Sequence, residues 1–462
     1  MRMTPRTLSW IAQATGGRLL GEDRQVDAVA TDTRALPGGA ALFVALKGGN
    51  FDGHAHVPAA AAGGCVAALV AHAVDASLPQ VVVDDTERAL GSLAAAVQRE
   101  RATTVLAVTG SNGKTSVKTL LLSILRQLGS AYANPGNRNN EIGLPLAVLD
   151  APDDARFAVY EMGAGKPGDI AYLTAIARPD VALVNNIAPA HLERMGNLLG
   201  VAQTKGAIYQ ALPDEGVAVI NADDAFAHYF GERLRGRRAI RFGIESAADV
   251  RARDIQAGIE GARFVLVTPA GEVEVALPLP GRHNVRNALA AAAMALAVGA
   301  SPAQIRAGLE GSERVAGRLL VQRLRNGVTV IDDSYNANPG SLAAAIDTLA
   351  GSTGEAWLVL GDMRELGDDE AALHAQAGSQ ALRAGIARLF ALGPLSAHAV
   401  AAFGEGGRHF DSHAALLEAL QDALRPGVTV LVKGSRGSAM DTIVKALLQR
   451  DAAAGEENNG AA

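Results

Sequence analysis

Short runs of apolar residues alternate along most of the chain with longer stretches in which apolar residues recur every three or four positions. The clearest run, 103–108, is followed by apolar positions at helical spacing over 117–128. Similar runs lie at 41–46, 157–160 and 181–184. Because strands that alternate with helices pack as a mostly parallel sheet covered on both faces, the pattern predicts an α/β fold.

The same pattern divides the chain into three α/β units. We predict a small unit at 1–100, a central unit at 101–314 and a third unit at 315–450, in line with the domain number expected for 462 residues. Within the central unit, the pattern over 246–280 predicts an antiparallel hairpin beside the main sheet. The last residues, 451–462, are mostly alanine, glutamate, asparagine and glycine and predict a disordered tail.

Composition narrows the setting in which the protein works. The chain is 49% hydrophobic and carries a net charge of −6, which argues against a nucleic-acid partner. Its single cysteine fits a reducing compartment. The longest apolar run, 288–300, is too short to cross a bilayer, and no targeting segment is visible. We therefore expect a cytoplasmic protein without membrane insertion.

The sequence Thr-Gly-Ser-Asn-Gly-Lys-Thr at 109–115 stands between a predicted strand and a predicted helix. In this setting backbone N–H groups hold phosphate oxygens, Lys114 reaches the β- and γ-phosphates, and the Thr115 hydroxyl ligates Mg²⁺. The eight-residue form of such a loop would have its first glycine at Val108, so the chain carries a shorter form. This stretch, the phosphate loop, predicts binding of a nucleotide phosphate.

Polar residues follow several predicted strands. Glu161 ends one strand and His191 follows another, near the sheet edge where ligands bind in α/β folds. We predict Glu161 as a metal ligand or nucleophile-positioning group and His191 as a metal ligand. The asparagine-rich loop 134–145 is either a set of turns or a source of hydrogen bonds to a polar ligand. The turn 31–34 is likewise either solvated or an anion site built around its arginine.

Two other nucleotide-binding classes are disfavoured. A G-x-G-x-x-G pattern at 163–168 follows a strand, as in nicotinamide dehydrogenases, but Pro167 lies in the turn and the phosphate role is already filled. A GTPase of the Ras type is disfavoured because the Asn-Lys-x-Asp guanine motif is missing from the sequence.

Several motifs occur together in a characteristic order that begins with the phosphate loop and Glu161-Met-Gly-Ala. The others are Asn186-Ile-Ala-Pro-Ala-His-Leu-Glu193, Lys205-Gly, Gly281-Arg-His-Asn284, Asp332-Asp-Ser-Tyr-Asn-Ala-Asn-Pro339, Gly361-Asp-Met-Arg-Glu-Leu-Gly367 and Lys433-Gly-Ser-Arg436. In this order they resemble the Mur ligase family over nearly the whole chain. The resemblance implies a UDP-substrate domain, a P-loop-type ATPase domain and a C-terminal Rossmann-like domain, in a monomer.

The same resemblance implies an ATP-dependent, ADP-forming amide ligase. The motifs are most similar to those of the branch that joins D-alanyl-D-alanine to UDP-N-acetylmuramoyl-tripeptide through an acyl phosphate, with Mg²⁺ as cofactor. The implied product is the UDP-linked pentapeptide of peptidoglycan synthesis. Family members that add a single amino acid, and folylpolyglutamate synthetase-like ligases, remain alternatives. Diaminopimelate and lysine both remain open for the third residue of the tripeptide.

The resemblance also implies roles for residues of this chain. Those expected to hold ATP are Gly110, Ser111, Asn112, Gly113, Lys114, Thr115, Ser116, Asn284, Asn287, Arg318 and Asp333. Those expected to face the UDP-peptide or the dipeptide are Thr31, Asp32, Thr33, Arg34, Lys47, Asn137, Asn139, Asn140, Tyr335, Asn336 and Arg364. The expected catalytic groups are Lys114, Glu161, His191 and Lys205. The expected magnesium ligands are Thr115, Glu161, His191 and, if it is carbamylated, Lys205.

Overall fold

The computed structural model describes residues 3–189 and 192–459. Within these residues, three main sheets lie at 18–82, 104–277 and 320–433. Each sheet falls inside one of the three predicted units. The α/β fold class is confirmed, and the exact domain boundaries remain a prediction.

The N-terminal unit is built on a sheet of five strands in the described part of the chain. Its elements are β1 (Arg6–Thr7), α1 (Leu8–Thr15), β2 (Arg18–Leu20), β3 (Gln25–Val26), β4 (Ala28–Ala30), β5 (Ala41–Val44), α2 (Val57–Ala62), β6 (Ala67–Val70), β7 (Gln80–Val82) and α3 (Thr86–Glu100). The sheet order is β2-β7-β6-β5-β4, and only the β2–β7 pair is antiparallel. Separately, β1 pairs with β3.

The central unit contains the largest sheet among the described residues. Its strands are β8 (Thr104–Thr109), β9 (Ala131–Ala133), β10 (Phe157–Glu161), β11 (Val181–Val184), β12 (Val217–Asn221), β13 (Arg238–Gly243), β14 (Val250–Ala257), β15 (Ala262–Thr268) and β16 (Gly271–Leu277). Its helices are α4 (Lys114–Leu125), α5 (Gly143–Asp150), α6 (Asp169–Ala177), α7 (Leu192–Met195), α8 (Leu198–Gln210), α9 (Ala227–Gly231), α10 (Arg282–Ala297) and α11 (Pro302–Glu310).

The strand order of the central sheet places β8 where the chain changes direction across the sheet. The order is β16-β15-β14-β13-β12-β11-β8-β10-β9, parallel from β9 to β14. The β14–β15–β16 segment is antiparallel, which confirms the predicted hairpin. Because β8 lies between β10 and β11, its carboxyl end opens into the crevice where such sheets bind ligands.

Two apolar cores hold the central sheet in place. Helices α4, α10 and α11 pack on one face. On the other face, α5, α6 and α8 share a core with α1, α3 and the N-terminal sheet. The N-terminal and central units are therefore joined by continuous apolar packing.

The C-terminal unit has a six-stranded sheet in the part of the chain described. Its elements are β17 (Leu320–Arg323), β18 (Thr329–Asp333), α12 (Pro339–Ala350), β19 (Glu355–Gly361), α13 (Glu370–Arg383), β20 (Arg388–Leu392), α14 (Ser396–Phe403), β21 (Gly407–Phe410), α15 (His413–Ala423), β22 (Val428–Lys433) and α16 (Asp441–Asn459). The order is β17-β18-β22-β19-β20-β21, and all pairs except β17–β18 are parallel.

The last helix corrects one prediction. Helix α16 continues to Asn459, so 451–459 are helical rather than a disordered tail, and 460–462 lie outside the described residues. Alanine and glutamate, which dominate this stretch, are good helix formers and allow the helix to extend. None of the helices described here is long and apolar enough to cross a membrane.

Candidate nucleotide and substrate site

The phosphate loop lies between β8 and α4, as predicted. Gly113 has φ +79°, a conformation that favours glycine, and ends the turn as the N-cap of α4. A Cβ at this position would lie 2.4 Å from Asn287 Oδ1 and 2.6 Å from Asn185 Nδ2. The glycine is required both by the turn and by the close approach of the two amides.

The loop is held in shape by the segment that follows β11. Ser111 N donates to Asn186 O at 2.9 Å, and Asn112 N donates to Asn186 Oδ1 at 2.8 Å. The Ser111 hydroxyl donates to Ala188 O and accepts from Ala188 N, both at 2.9 Å. The same segment leads to His191, which lies outside the described residues.

The Lys114 ammonium group turns back onto its own loop. Its Nζ donates to Gly110 O at 2.8 Å. Burial lowers the pKa of Lys114, the Glu161 carboxylate opposes that change, and the charge of Arg318 adds to it. A phosphate oxygen in the loop would offer this ammonium group a stronger acceptor than the carbonyl.

Glu161 ends β10 with its side chain buried. Its Oε2 accepts from Thr115 Oγ1 at 3.0 Å and forms an ion pair with Lys118 Nζ at 3.2 Å, and its Oε1 accepts from Asn139 Nδ2 at 2.8 Å. Burial raises the pKa of Glu161, but the charges of Lys118 and Lys114 together with the hydrogen bonds from Asn139 and Thr115 outweigh that effect and hold the pKa below its usual value. The carboxylate is therefore ionised and fixed in orientation.

The Thr115 hydroxyl and the Glu161 carboxylate fit a magnesium ion. Both are hard oxygen donors that line one cavity. Mg²⁺ usually takes one or two protein carboxylates together with substrate phosphates and water. The described residues hold no cluster of three or more histidine, cysteine or acidic side chains suited to a metal ion. The donor set thus suits a metal that arrives with a nucleotide.

Lys205 lies on α8 and is 1% exposed. Burial lowers the pKa of Lys205 well below its usual value, Lys114 lowers it further, and Asp169 opposes the change. Burial at this position therefore disfavours the charged form of the predicted catalytic lysine, and the charge of Lys114 in the phosphate loop acts in the same direction.

A cavity of about 640 Å³ joins the phosphate loop, the asparagine-rich loop and the C-terminal unit. The predicted site residues that line it are Ser111, Asn112, Gly113, Lys114, Thr115, Ser116, Asn137, Asn139, Asn140, Glu161, Asn284, Asn287, Arg318, Asp333, Tyr335 and Asn336. The structure thus brings together predicted residues that are more than 200 positions apart in the sequence.

Other predicted site residues do not line this cavity within the described chain. They are Thr31, Asp32, Thr33, Arg34, Lys47, Gly110, Lys205 and Arg364. Arg34 forks onto Asp32 with its shortest contact at 2.7 Å, and this hydrogen bonding lowers the pKa of Asp32 to about 2. The Arg34 side chain is otherwise 88% exposed, so the solvated and the anion-binding interpretations of this turn both stand. Arg364 is also exposed, and its N–H donates to Ser435 Oγ at 2.9 Å.

A buried network of amide side chains forms the floor of the cavity on α10. Asn287 Nδ2 donates to Asn284 Oδ1 at 3.0 Å, and Asn185 Nδ2 donates to Asn287 Oδ1 at 3.1 Å. Asn284 Nδ2 donates to Pro280 O at 2.8 Å. The network links α10 to Asn185, which directly follows β11 in the segment that leads to His191.

The C-terminal side of the cavity contains a buried ion pair. Lys433 Nζ lies 2.5 Å from Asp333 Oδ2 and also donates to Asn336 O at 2.9 Å. Burial raises the pKa of Asp333 and lowers that of Lys433, while the attraction between the two opposes both changes. The Arg318 guanidinium, whose charge acts on both groups of the pair, lies 4.3 Å from the Tyr335 ring centroid.

One hydrogen bond joins the phosphate loop directly to the C-terminal unit. Asn338 Nδ2 donates to Asn112 Oδ1 at 2.7 Å. Asn338 is also the N-cap of α12, and its Oδ1 accepts from Ser341 N at 2.9 Å. Three residues of the site were not predicted: Lys118, Lys433 and Asn338. For Lys118, the signal in the sequence was its helical spacing from Lys114. The other two lie in the family motifs 433–436 and 332–339.

His283 gives this region a pH-dependent stability. Burial, with added repulsion from Lys433 and Arg286, lowers the pKa of His283 from 6.5 to about 4. Between these values the unfolded chain binds a proton that the folded chain excludes, so the free energy of unfolding falls as the pH is lowered from about 6.5 to about 4, by up to about 3 kcal/mol. His283→Gln should remove most of this decline. Denaturant titrations at several pH values measure the free energy of unfolding of both proteins. An equal dependence of that free energy on pH in the wild type and the variant would contradict the prediction.

Comparison with known proteins agrees with this geometry. The family profile "Mur ligase middle domain" matches 108–295, and "Mur ligase, glutamate ligase domain" matches 317–436. The chain is 45% identical to the UDP-N-acetylmuramoyl-tripeptide–D-alanyl-D-alanine ligase of Escherichia coli (strain K12), over 96% of this chain and 98% of that protein.

Two solved structures extend the likeness to three dimensions. MurF from Acinetobacter baumannii superposes with a TM-score of 0.92 at 35% identity, covering 97% of this chain and 100% of the other. MurF ligase from Thermotoga maritima, solved in complex with ADP, gives 0.82 at 26% identity, covering 90% and 96%. Since the profiles match both large units and the E. coli relative is matched over nearly its full length, the chain belongs to the Mur ligase family.

Proposed function

We propose that this Mur ligase joins D-alanyl-D-alanine to UDP-N-acetylmuramoyl-tripeptide in an ATP-dependent, ADP-forming reaction. The observation that carries the proposal is the single cavity lined by the phosphate loop, the asparagine-rich loop and the C-terminal unit. Nucleotide, carboxylate donor and amine acceptor can meet there. The printed name of the E. coli relative supports these substrates, and the ADP complex of the Thermotoga relative supports nucleotide use. The single-amino-acid and folylpolyglutamate alternatives are not favoured.

The residues suit acyl-phosphate chemistry. The terminal carboxylate of the tripeptide is a poor electrophile, so it first attacks the γ-phosphate and releases ADP. Lys114 offsets the charge on the moving phosphoryl group. Mg²⁺, held by Thr115 and Glu161, would reduce the repulsion between carboxylate and triphosphate. The dipeptide amine then attacks the acyl carbon, and inorganic phosphate leaves.

We propose that Lys205 and His191 complete the metal site. An uncharged lysine amine can add CO₂ to form a carbamate, whose oxygens would be further magnesium ligands. The buried amine of Lys205 suits this reaction. His191 is proposed from its motif in the sequence.

The remaining predicted residues divide between the ends of the substrates. We propose that ATP contacts Gly110, Asn284, Asn287, Arg318 and Asp333 in addition to the rest of the phosphate loop. The residues proposed for the UDP-peptide are Thr31, Asp32, Thr33, Arg34, Lys47, Asn137, Asn139 and Asn140. Those proposed for the dipeptide are Tyr335, Asn336 and Arg364. We also propose that the protein is a cytoplasmic monomer.

Release of phosphate tests the reaction directly. We expect release only when ATP, Mg²⁺, UDP-N-acetylmuramoyl-tripeptide and D-alanyl-D-alanine are all present. The tripeptide carboxylate must form the acyl phosphate, and the dipeptide amine must then attack it. Each component is omitted in turn, and single amino acids replace the dipeptide in a parallel series. Tripeptides ending in diaminopimelate and in lysine form two further arms.

Two outcomes would overturn the proposed reaction. Phosphate release that is unchanged when both UDP-N-acetylmuramoyl-tripeptide and D-alanyl-D-alanine are omitted would indicate a nucleotide hydrolase. Faster release with a single amino acid than with the dipeptide would assign the chain to another branch of the family.

A further inference from the structure

Lys118 is a buried lysine one helical turn beyond Lys114 on α4. Its side chain is only 7% exposed. Lysine is rarely buried to this degree, because removing an ammonium group from water costs free energy unless it is paired and hydrogen-bonded. Such a position calls for partners that satisfy all three of its N–H donors.

The partners of Lys118 come from two segments of the chain. Its Nζ donates to Asn134 O at 2.9 Å and to Gly136 O at 3.0 Å, both in the asparagine-rich loop. The same Nζ lies 3.2 Å from Glu161 Oε2 at the end of β10. One ammonium group therefore connects the helix of the phosphate loop to the carboxylate and to the loop beside it.

The asparagine-rich loop is fixed to the same carboxylate residue from its other side. Asn134 Oδ1 accepts from Glu161 N at 2.9 Å, and Asn134 Nδ2 donates to Glu161 O at 3.1 Å. Asn139 Nδ2 donates to Glu161 Oε1 at 2.8 Å. Movement of the loop would consequently move Glu161, and Lys118 holds both against α4.

We propose that Lys118 is a positioning residue that couples the nucleotide site to the asparagine-rich loop and sets the affinity of the Glu161 carboxylate for a divalent cation. The part that concerns the UDP-peptide rests on the proposed function. Lys118 contacts the oxygen that also accepts from Thr115, so its positive charge repels a cation bound there. It thereby keeps Glu161 ordered before a cation binds and weakens the binding of that cation.

Lys118→Met separates these effects from a purely structural role. We expect the Mg²⁺ concentration that half-saturates the thermal stabilisation of the protein by ADP to fall about tenfold, because repulsion is removed and an unpaired carboxylate remains. The KM for UDP-N-acetylmuramoyl-tripeptide should rise about tenfold, because two carbonyls of the asparagine-rich loop lose their donor.

A double-mutant cycle and two further variants make the test specific. In a Glu161→Gln background, Lys118→Met should produce no further fall in the Mg²⁺ midpoint. Lys118→Gln removes the charge but keeps a donor, so it should reproduce the Mg²⁺ change with a smaller rise in KM. Lys445→Met, which removes a lysine from an exposed ion pair with Asp441 on α16, is the matched control and should change neither value.

The result that would overturn the proposal is a Mg²⁺ midpoint that is unchanged or raised in both Lys118 variants, or that falls equally in the Glu161→Gln background. The ADP measurement does not depend on the identity of the peptide substrate. If the wild-type protein failed to use the tripeptide, the proposed function would be wrong while the Mg²⁺ test of Lys118 would still stand.

Discussion

Lys114→Ala is expected to leave a protein that binds its UDP-linked substrate but does not form ADP. The Lys114 ammonium group lies in the phosphate loop, 2.8 Å from the Gly110 carbonyl, within reach of a nucleotide bound there. Removing one preorganised positive donor from a phosphoryl-transfer site typically costs a factor of about a thousand in rate. We therefore expect ADP formation to fall by at least about that factor.

The measurement combines rate and binding. ADP formation is followed with saturating substrates, and binding of UDP-N-acetylmuramoyl-tripeptide is measured by calorimetry on the same preparation. Binding should change little, because the residues proposed for the uridine nucleotide lie in the N-terminal unit, at 31–34 and Lys47. Lys445→Ala, on an exposed helix face, serves as the matched substitution. Near-normal turnover in Lys114→Ala would remove the phosphate loop from the mechanism.

Lys433→Met is expected to lower the free energy of unfolding of the C-terminal unit by about 3–5 kcal/mol. Lys433 and Asp333 are both buried, with side chains 3% and 10% exposed. Without its partner, the Asp333 carboxylate would be left in a site shielded from water. Loss of the donor to Asn336 O would release the middle of the loop that carries Tyr335.

Denaturation followed by the fluorescence of buried Trp357, on β19 of the same sheet, reports this change. The double variant Lys433→Met/Asp333→Asn should recover much of the lost stability, because the unpaired charge is removed. Lys445→Met breaks an exposed pair and should cost less than about 1 kcal/mol. An equally small loss for Lys433→Met would show that the buried pair contributes little.

The parts of the site that the residues alone predicted are those encoded locally, whereas distant residues such as Arg318 and Asp333 were predicted from the family resemblance. The strand, turn and helix around Lys114 are contiguous, and their hydrophobic period and glycines are visible in the sequence. Glu161 was predicted because a strand end in a parallel sheet lies at the ligand crevice. The tail was mispredicted for a related reason: composition shows that a stretch is polar, but alanine and glutamate also extend an existing helix.

The parts that were missed depend on contacts between distant residues. Lys433 meets Asp333 across 100 positions, and Asn338 meets Asn112 across 226. Apart from the family motifs that contain them, no local pattern distinguishes this lysine or this asparagine from one in solvent. Lys118 is intermediate, since its spacing from Lys114 places both on one side of α4, but its burial depends on how the asparagine-rich loop folds over it.

The double use of the Asn338 side chain limits which amino acids can replace it. Aspartate begins helices about as well as asparagine, so the formation of α12 alone would tolerate that exchange. Aspartate, however, has no N–H to donate to Asn112 Oδ1, so the hydrogen bond to the phosphate loop would form only if the Asn112 amide turned over and donated its own N–H. At this position an exchange that is neutral for the helix therefore reverses or breaks the hydrogen bond between the two units, so the phosphate loop as well as α12 restricts the choice of side chain.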